Sequence, residues 1–554
     1  GSGTAAVAGA ATASTVTNKT RAKVNGGSIT GADALVLEAL NTSTIKAASA
    51  AGSGSGTGAV SGSATVSVVN NSVLADIDGT EVNTTEQVGV AAKDQSKIQS
   101  LAGSASFSGT AAVGGAVAVN TITNTTQAGI RNATLGHIGT LQLEAVTDSD
   151  IQSASAAGEG AGTAAVGGSS TTSIIKNTTA AELVNTTAGD SVDSADSVQV
   201  TAKDASSIQV LAGNVGLSGT AAVGGAVGTN IIANTTAARI AESQVSASDS
   251  TLVQADNQSA IEAVSVSGAG SGTAAVTGSV TAAHIANTTE AEIVDSQIKN
   301  DSNHVSVLAA DDSQISSISG GAAASGTASV GAAVSANRIA NTTTARVSGG
   351  TLAVEGLLVK GKTSSTIESL AVGLGGSGVV GVAGSTAINL ITTSYIDSGA
   401  DITAQNNVGV LAETNDVVTN RAGAAGIGLG AVGVGASVTV NQISGSTKAY
   451  ISGPETKVTA LAQAEKLTVA EGGLQEDVDL GAGLDLDKYS RPELADLRKT
   501  EEVGGIAVVA SGTHSVENVV ANAGIGAYAG VAGTTNTSVI NGTTEAYVDQ
   551  ARSE

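Results

Sequence analysis

The sequence predicts an all-β protein, a parallel β-solenoid (β-helix) of about ten repeats of about 53 residues with one short helical insert. The first observation behind this prediction is a recurring block, which reads Ser-Gly-Thr-Ala-Ala-Val-Gly-Gly-Ala-Val around Thr110. Its copies begin at Thr4, Thr57, Thr110, Thr163, Thr220, Thr273 and Thr327, with weaker copies at Val379, Ala431 and Tyr528. Successive copies begin 52 to 57 residues apart, except for a last interval of 97 residues. Self-similarity at a fixed period indicates an array or a solenoid.

The second observation is an alternation of apolar and polar residues in the copy that follows Asp196. Its even-numbered positions carry the apolar residues Val198, Val200, Ala202, Ile208, Val210 and Ala212. Polar residues occupy most of the odd-numbered positions, as expected of a strand with one buried and one hydrated face. In the block itself, residues 220–232, both faces are apolar and mostly small. We therefore expect that strand to be covered on both sides.

The third observation is that each unit is short and has no helical periodicity. A last short piece, such as residues 238–241, completes the unit and ends in a polar turn. Units of this size must stack to bury their apolar faces, and stacking in register pairs each strand with its equivalent one repeat further on. The sequence leaves open whether a unit forms one wide coil or two or three narrow coils. At ~4.8 Å per coil, ten units would span roughly 50 to 150 Å.

Composition limits both the core and the classes of partner. The chain has 72 glycines, two prolines, six aromatic residues and no Cys, Met or Trp. The lack of Cys excludes disulfides, cysteine zinc sites and thiol catalysis. The net charge of −24 disfavours binding to nucleic acid or to an anionic membrane surface. No long uninterrupted apolar run suggests membrane insertion.

A polar triplet, Asn-Thr-Thr, follows most copies of the block at a fixed distance. Its asparagines are Asn124, Asn177, Asn234, Asn287 and Asn341. One interpretation is a structural ladder of stacked amides along the solenoid axis. The other is N-glycosylation, because Asn-x-Thr is the acceptor pattern. The fixed place in the repeat favours the ladder, while the loop sequons at Asn132 and Asn185 leave modification open.

The long last interval divides the chain into regular repeats at 1–461, an acidic insert at 462–505 and a final repeat at 506–554. Ser490 and Glu493 have the spacing of a capping box, which predicts a short helix over about 491–501. The insert also carries candidate calcium ligands, Asp477, Asp479, Asp485 and Asp487. These aspartates match no calcium-loop pattern, so a solvated acidic loop is the preferred interpretation. Neither terminus resembles a polar solenoid cap, so we expect the array to continue in a longer protein.

No catalytic constellation is evident. The four histidines, His137, His284, His304 and His514, occupy unrelated positions of the repeat and have no metal-ligand spacing. A glycosidase would need paired carboxylates close together, and only the insert offers a cluster of acids. We therefore predict no enzymatic activity and no cofactor.

Several strings resemble a known family of surface proteins. They are Gly-Thr-Ala-Ala-Val-Gly-Gly-Ala-Val-Ala-Val-Asn at 109–120, Ala-Val-Gly-Val-Gly-Ala-Ser-Val-Thr-Val-Asn at 431–441 and Ser-Thr-Lys-Ala-Tyr-Ile at 446–451. They resemble the leukotoxin-like filamentous adhesins of bacteria, which are related to filamentous haemagglutinins exported by two-partner secretion. The resemblance implies an extracellular β-solenoid held at the bacterial cell surface. The secretion domain of that family is not visible in this sequence.

These observations lead to a first hypothesis, a structural stalk or fibre segment of a giant secreted adhesin that mediates surface attachment or cell–cell contact. The alternative is a self-associating fibre of an extracellular matrix or sheath, suggested by the two apolar faces of the block. A weaker alternative is a β-helix that binds or cleaves carbohydrate. The expected partners are other copies or neighbouring filaments, with glycans or proteins of host or bacterial surfaces as further candidates.

Overall fold

The computed structural model describes residues 3–136, 138–189, 195–300, 304–428, 432–463, 466–474 and 498–553. This part of the chain forms strands and connecting turns and contains no helix. The strands of its first half are β1 Ala5–Asn25, β2 Ser28–Ser55, β3 Gly58–Asp78, β4 Glu81–Ser108, β5 Ala111–Ile122, β6 Thr125–Arg131, β7 Thr134–Leu135, β8 Thr140–Ala161, β9 Ala164–Ile175, β10 Thr178–Val184, β11 Thr187–Ala188, β12 Ala195–Ser218, β13 Ala221–Ile232, β14 Thr235–Ala241, β15 Gln244–Ser271, β16 Ala274–Ile285 and β17 Thr288–Val294. Those of the second half are β18 Gln297–Asn300, β19 His304–Ser325, β20 Ala328–Ile339, β21 Thr342–Ser348, β22 Thr351–Val354, β23 Gly356–Gly375, β24 Gly378–Asp397, β25 Asp401–Ala404, β26 Val408–Gly428, β27 Val432–Ser452, β28 Lys457–Ala460, β29 Leu467–Leu474, β30 Arg498–Val503, β31 Ile506–Gly526, β32 Ala529–Asp549 and β33 Arg552–Ser553.

Two large parallel sheets contain nearly all of these strands. Sheet I is formed by β1, β3, β5, β6, β9, β10, β13, β14, β16, β17, β20, β21, β24, β27 and β32. Sheet II is formed by the long strands β2, β4, β8, β12, β15, β19, β23, β26 and β31 and by the short strands β7, β11, β18, β22, β25, β28 and β33. The chain alternates between the sheets, so each strand pairs with its equivalent in the next repeat. This arrangement is the parallel β-solenoid that the repeat predicted.

The register shows that one repeat makes one wide coil. Val60 pairs with Val113, and Val113 pairs with Val166, so partners lie one 53-residue repeat apart. The 28 residues of β4 would extend for about 90 Å, whereas one coil advances the solenoid by about 4.8 Å. Most of this strand, from Gln87 to Ser108, pairs without interruption with β8 on the next level. We use "level" below for one such coil.

The two ends of each coil turn in different ways. At the end formed by the recurring block, a stack of glycines brings successive turns into close contact, and we call it the glycine turn. A Cβ atom on Gly162 would lie 2.1 Å from the carbonyl oxygen of Gly109, and one on Gly219 would lie 2.1 Å from that of Gly162. These stacked turns therefore require glycine, which explains the glycines at positions 56, 109, 162, 219, 272 and 326.

At the opposite end, a residue with left-handed backbone geometry makes the corner between the sheets. Asn132 has φ of 53°, Asn185 of 47°, Glu242 of 51° and Asp295 of 46°. Asn and Asp tolerate this geometry better than other side chains because they can hydrogen-bond locally. The Asn185 side-chain amide donates to Oδ1 of Asn132 at 2.8 Å, so the corner also forms a ladder.

The interior side chains become larger from the glycine turn towards this corner. Near the glycine turn the core consists of alanines such as Ala102, Ala116 and Ala157. A ladder of isoleucines, including Ile98 and Ile122, follows further along the coil. A broad cluster of Val, Leu and Ile then fills the corner end. The prediction from alternation is confirmed, because the six apolar residues at even positions from Val198 to Ala212 are 0 to 5 % exposed.

The expectation that the block strand is covered on both sides is wrong for the single chain. Its inward positions are buried, but Val113 on its outer face is 43 % exposed. The reason is that the solenoid has only two sheets, so no further layer packs outside sheet I. At this outward position a valine ladder runs through Val7, Val60, Val113, Val166, Val223, Val276, Val330, Val379, Val434 and Val531.

The insert contributes an antiparallel hairpin of β29 and β30. Leu467 and Val469 of this hairpin pack on Leu411 at the outer surface of sheet II. The predicted helix over 491–501 is wrong at residues 498–501, which lie in β30, because cross-strand pairing with β29 fixes an extended backbone there. Residues 475–497, which include Ser490 and Glu493, lie outside the described residues.

Candidate functional site

The five predicted asparagines lie inside the solenoid, at the point where each sheet I strand is interrupted. Asn124, for example, lies between β5 and β6. All five are between 1 and 3 % exposed, namely Asn124, Asn177, Asn234, Asn287 and Asn341. Asn71 in β3 occupies the same position one level earlier and is also buried.

These asparagines form a ladder between side chain and backbone. The backbone N–H of Asn124 donates to Oδ1 of Asn177, and that of Asn177 donates to Oδ1 of Asn234 at 3.0 Å. The same bond joins Asn234 to Asn287 at 3.1 Å and Asn287 to Asn341 at 2.9 Å. Each amide oxygen therefore satisfies the one backbone donor that the strand interruption removes from the regular ladder.

The amide nitrogens of the ladder point across the interior to sheet II. Asn234 Nδ2 donates to Asp204 at 2.6 Å and to Ser206 at 2.8 Å. Asn124 Nδ2 donates to Asp94 at 2.7 Å. We call this set of inward Asn, Asp, Ser and Thr side chains the polar spine. It lies between the isoleucine ladder and the broad apolar cluster.

Carboxylates occupy alternate levels of the polar spine. On sheet II, Asp94 pairs in register with Thr147, and Thr147 pairs with Asp204. Asp204 then pairs with Asn257, which pairs with Asp311. Because an uncharged residue separates successive aspartates, no two carboxylates of this ladder are direct neighbours.

Burial changes the acidity of these carboxylates. It raises the pKa of Asp204 to about 6 and that of Asp311 to about 7, although hydrogen bonds from neighbouring Ser and Asn side chains act in the opposite direction. Burial also raises the pKa of Asp94, again against hydrogen bonds from Ser96 and from asparagines. A buried charge is disfavoured in the low-dielectric interior, so the protonated form gains relative to the ionised form.

Glu159 is a second kind of buried acid that sequence reasoning missed. It points inward near the glycine turn, is 3 % exposed and accepts a hydrogen bond from Asn214 Nδ2 at 2.9 Å. A Cβ atom on Gly114 or Gly167 would lie within 2.3 Å of its carboxylate, so a larger residue there would require the Glu159 side chain to move. Burial raises the pKa of Glu159 to about 7.

The position of each acid within the repeat could have revealed both kinds of buried carboxylate. Asp204 aligns with Asn257 and Thr147, and Glu159 aligns with Ser106 and Gly216, all of which lie in strands with the same alternation. Aligning the repeats shows a charged residue at a position where the other copies carry an inward, uncharged residue. Such a mismatch predicts a buried carboxylate, which composition alone does not.

An outward ladder on sheet I carries alternating charges near the corner end. Asp76 and Glu182 belong to this ladder, and Gly129 occupies the level between them. Arg131, two residues further along that level, contacts Asp76 at 2.5 Å and Glu182 at 2.6 Å. Further along, Arg346 contacts Glu292 at 2.7 Å. Residues of opposite sign thus meet on successive levels, which favours the observed register over a shifted one.

The same ladder ends in stacked tyrosines. The Tyr395 hydroxyl accepts a hydrogen bond from Arg346 at 3.0 Å. The rings of Tyr395 and Tyr450 are 4.9 Å apart, and those of Tyr450 and Tyr547 are 5.1 Å apart, with interplanar angles of 6° and 3°. The ring faces are covered by each other, so this stack supports neighbouring strands rather than a flat sugar platform.

The sequence-predicted site residues are thus brought together only in part. The asparagines form one continuous feature, in which Nδ2 is directed into the interior, whereas Asn132 and Asn185 lie at the exposed corner. The burial of the polar spine leaves no space for a glycan on its amide nitrogens. The proposed calcium ligands Asp477, Asp479, Asp485 and Asp487 lie outside the described residues.

The three described histidines, His284, His304 and His514, lie in different strands. His514 Nδ1 lies 2.8 Å from the carboxylate of the buried Asp416, a pair that sequence reasoning missed. Burial lowers the pKa of His284, and the nearby Arg338 lowers it further. His137 lies outside the described residues. Within the described ranges, no three His, Asp or Glu side chains are grouped as a metal site would require.

Comparisons of this chain with family models, with curated proteins and with solved structures gave no match. In the part of the chain that the structure describes, no helix has the length and hydrophobicity needed to cross a membrane.

Proposed function

We propose that this chain is a structural stalk or fibre segment of a giant secreted bacterial filamentous adhesin, located at the cell surface and mediating attachment or cell–cell contact. The observation that carries the proposal is the continuity of the ladders. The Asn bonds described above join six successive levels from Asn71 to Asn341 without interruption. The resemblance of the repeat strings to filamentous adhesins supports the extracellular location.

The interior is suited to holding levels together. Each level contacts mainly the levels directly below and above it, as in other repeat architectures. The polar spine satisfies backbone donors, the charge ladder favours one register, and the glycine turn lets successive levels approach closely. Burial raises the pKa of the carboxyl groups of Glu159, Asp204 and Asp311. All three lie between the sheets, where a polysaccharide has no access.

The location can be tested on intact cells of the source organism with antibodies raised against the purified chain. We expect immunogold label on extracellular filaments or on the cell surface. Deleting the gene should reduce attachment to surfaces or to other cells, and restoring it should reverse the loss. Label confined to the cell interior, with attachment unchanged in the deletion strain, would contradict the proposal.

The architecture can be tested separately on the purified chain. Circular dichroism should show β-structure with negligible helix, and electron microscopy should show flat particles without globular lobes. A mostly helical spectrum would contradict the fold and therefore the fibre role. The proposed partners, which are other copies, neighbouring filaments and surface glycans or proteins, are separate outcomes of binding assays.

A further inference from the structure

The outer surface of sheet I near the glycine turn is uncharged over its whole height and mostly apolar. It consists of the four outward positions that correspond to Val113, Gly115, Val117 and Val119 on every level, and we call it the valine face. The first of these positions is the valine ladder described above. Among the described residues, all the side chains at the four positions are Gly, Ala, Val, Ser or Thr.

The valine face is also regular in shape. The second position is glycine on most levels, for example Gly115, Gly168 and Gly225, and alanine on the others. The third position carries Val117, Val227 and their equivalents, with Ala, Ser or Thr on the remaining levels. A shallow groove therefore runs along the solenoid axis between two ridges.

The area of this face exceeds what a monomer normally leaves exposed. Four outward positions span roughly 20 to 25 Å along the strands, and ten levels span roughly 43 Å, which gives roughly 1,000 Å². The largest apolar patch on a typical soluble monomer is about 300 to 600 Å². A stable protein–protein interface buries about 800 Å² on each partner. The valine face is therefore large enough for a stable dimer.

The distribution of charge indicates what kind of partner fits. The chain has a net charge of −24, and none of its charged residues lies on the valine face. A charged partner would lose hydration there without gaining an ion pair. The outer surface of sheet II at the same end also carries exposed large apolar residues, such as Leu101, Leu211 and Ile318. It is less even than the valine face, since Phe107 and Leu217 cover glycines of neighbouring strands.

We propose that the valine face packs against the valine face of a second copy of this chain, which pairs two solenoids side by side. The face is self-complementary because ridges and groove recur at the strand period, so a ridge of one copy fits the groove of the other. Such a contact is dry and interdigitated, like the interfaces between stacked sheets in fibres. The inference deepens the proposed function by naming one partner of the fibre.

The experiment compares the oligomeric state of the full chain with that of two triple variants, measured by light scattering after size-exclusion chromatography. The first variant carries Val166→Lys, Val223→Lys and Val276→Lys on the valine face. The matched control carries Gln152→Lys, Gln209→Lys and Gln314→Lys on the outer surface of sheet II, with the same change in charge. We expect a dimer for the wild type and the control, and an increase of at least tenfold in the Kd of the valine-face variant. Circular dichroism checks that all three retain β-structure.

Two further measurements distinguish this contact from other kinds of association. Because the copies repel each other through their net charge, the dimer should become tighter as salt is added. The chain has no Cys, so Val223→Cys should be protected from thiol-specific labelling in the dimer, whereas Gln209→Cys should react freely. A monomeric wild type, or an equal loss of dimer in both triple variants, would overturn the inference. A monomer that keeps β-structure and labels surface filaments would leave the proposed fibre role intact.

Discussion

At the scale of single residues, the glycine turn shows how strictly the repeat constrains its own sequence. The backbone of each turn occupies the space that a side chain of the next turn would need. Four residues before Gly162, within β8, Gly158 has open space around its Cβ position. Two glycines of one low-complexity stretch therefore have different roles, which the sequence alone does not distinguish.

Replacing these two glycines by alanine tests that difference. We expect Gly162→Ala to lower the free energy of unfolding by about 1 to 3 kcal/mol, since the new methyl group clashes with a fixed backbone carbonyl. The matched control Gly158→Ala should be neutral or slightly stabilising, because Gly weakens a strand interior. The measurement is the midpoint of unfolding in guanidinium chloride. Equal effects of the two changes would contradict the role given to the glycine turn.

The asparagine ladder gives a second expectation for a single residue. Asn234→Ala removes one acceptor for the backbone N–H of Asn177 and two donors to Asp204 and Ser206. We expect a loss of about 2 to 4 kcal/mol, because buried partners are left unsatisfied. Gln209→Ala, at an exposed position of sheet II, is the control and should change stability by less than about 0.5 kcal/mol. The measurement is the free energy of unfolding of the two variants in denaturant. If Asn234→Ala lost no more stability than Gln209→Ala, the structural role of the ladder would be contradicted.

At the scale of elements, the polar spine makes the packing of the two sheets sensitive to pH. Asp204 and Asp311 have folded-state pKa values of about 6 and about 7, above the ordinary value of 3.8. A raised pKa means that the folded state binds the proton more tightly than the unfolded state. The resulting stabilisation is complete below the ordinary pKa and is lost as the pH rises through the folded values.

We therefore expect the chain to be more stable at pH 5 than at pH 8, by roughly 4 kcal/mol from these two groups. The double variant Asp204→Asn with Asp311→Asn should remove the share of these two groups and leave the share of Glu159, whose pKa burial also raises to about 7. Asn257 shows that the position accepts an amide. The exposed Asp196→Asn is the control and should leave the slope unchanged. Melting temperatures across this pH range provide the measurement. A double variant with the wild-type slope would show that the buried acids do not titrate as described.

The elements also show what local sequence can and cannot predict. The period-two pattern from Val198 to Ala212 predicted a half-buried strand correctly, because burial on one side of a sheet is recorded directly in alternation. The width of the coil could not be predicted, since the pairing of distant strands leaves no local pattern. The capping box at Ser490 describes only the first turn of a helix, so it carried no information about β30. The asparagines could be located from their fixed spacing, whereas Asp204 and Glu159 became visible only once the copies were in register.

At the scale of the whole molecule, two features repeat every second level rather than every level. Aspartates alternate with Thr or Asn in the polar spine. On the outside, Glu182, Arg239, Glu292 and Arg346 alternate in sign on successive levels. Over these levels the physical unit is therefore a pair of repeats, although the sequence period is one repeat.

Deleting repeats tests this pairing. Fusing Thr220 to Ala274 removes one repeat, and it brings Asp204 next to Asp311 and Glu182 next to Glu292. Fusing Thr220 to Ala328 removes two repeats and brings Glu182 next to Arg346. We expect the shorter chain to have the higher unfolding midpoint, because two adjacent buried carboxylates cost about 2 to 4 kcal/mol. Denaturant unfolding of both chains checks this order, and a higher midpoint for the single deletion would refute it.

The single wide coil limits the length that the solenoid gains from each residue. One coil uses 53 residues for an advance of about 4.8 Å, or about 0.09 Å per residue, whereas an α-helix advances 1.5 Å per residue. A filament of 1,000 Å built in this way would need about 11,000 residues. A long filament of this kind therefore needs a very large mass of protein. Each coil, however, adds a strip tens of ångströms wide to both outer surfaces. Each added repeat therefore contributes much more to the area of the outer surfaces than to the length of the solenoid. A large outer surface suits the proposed role in attachment.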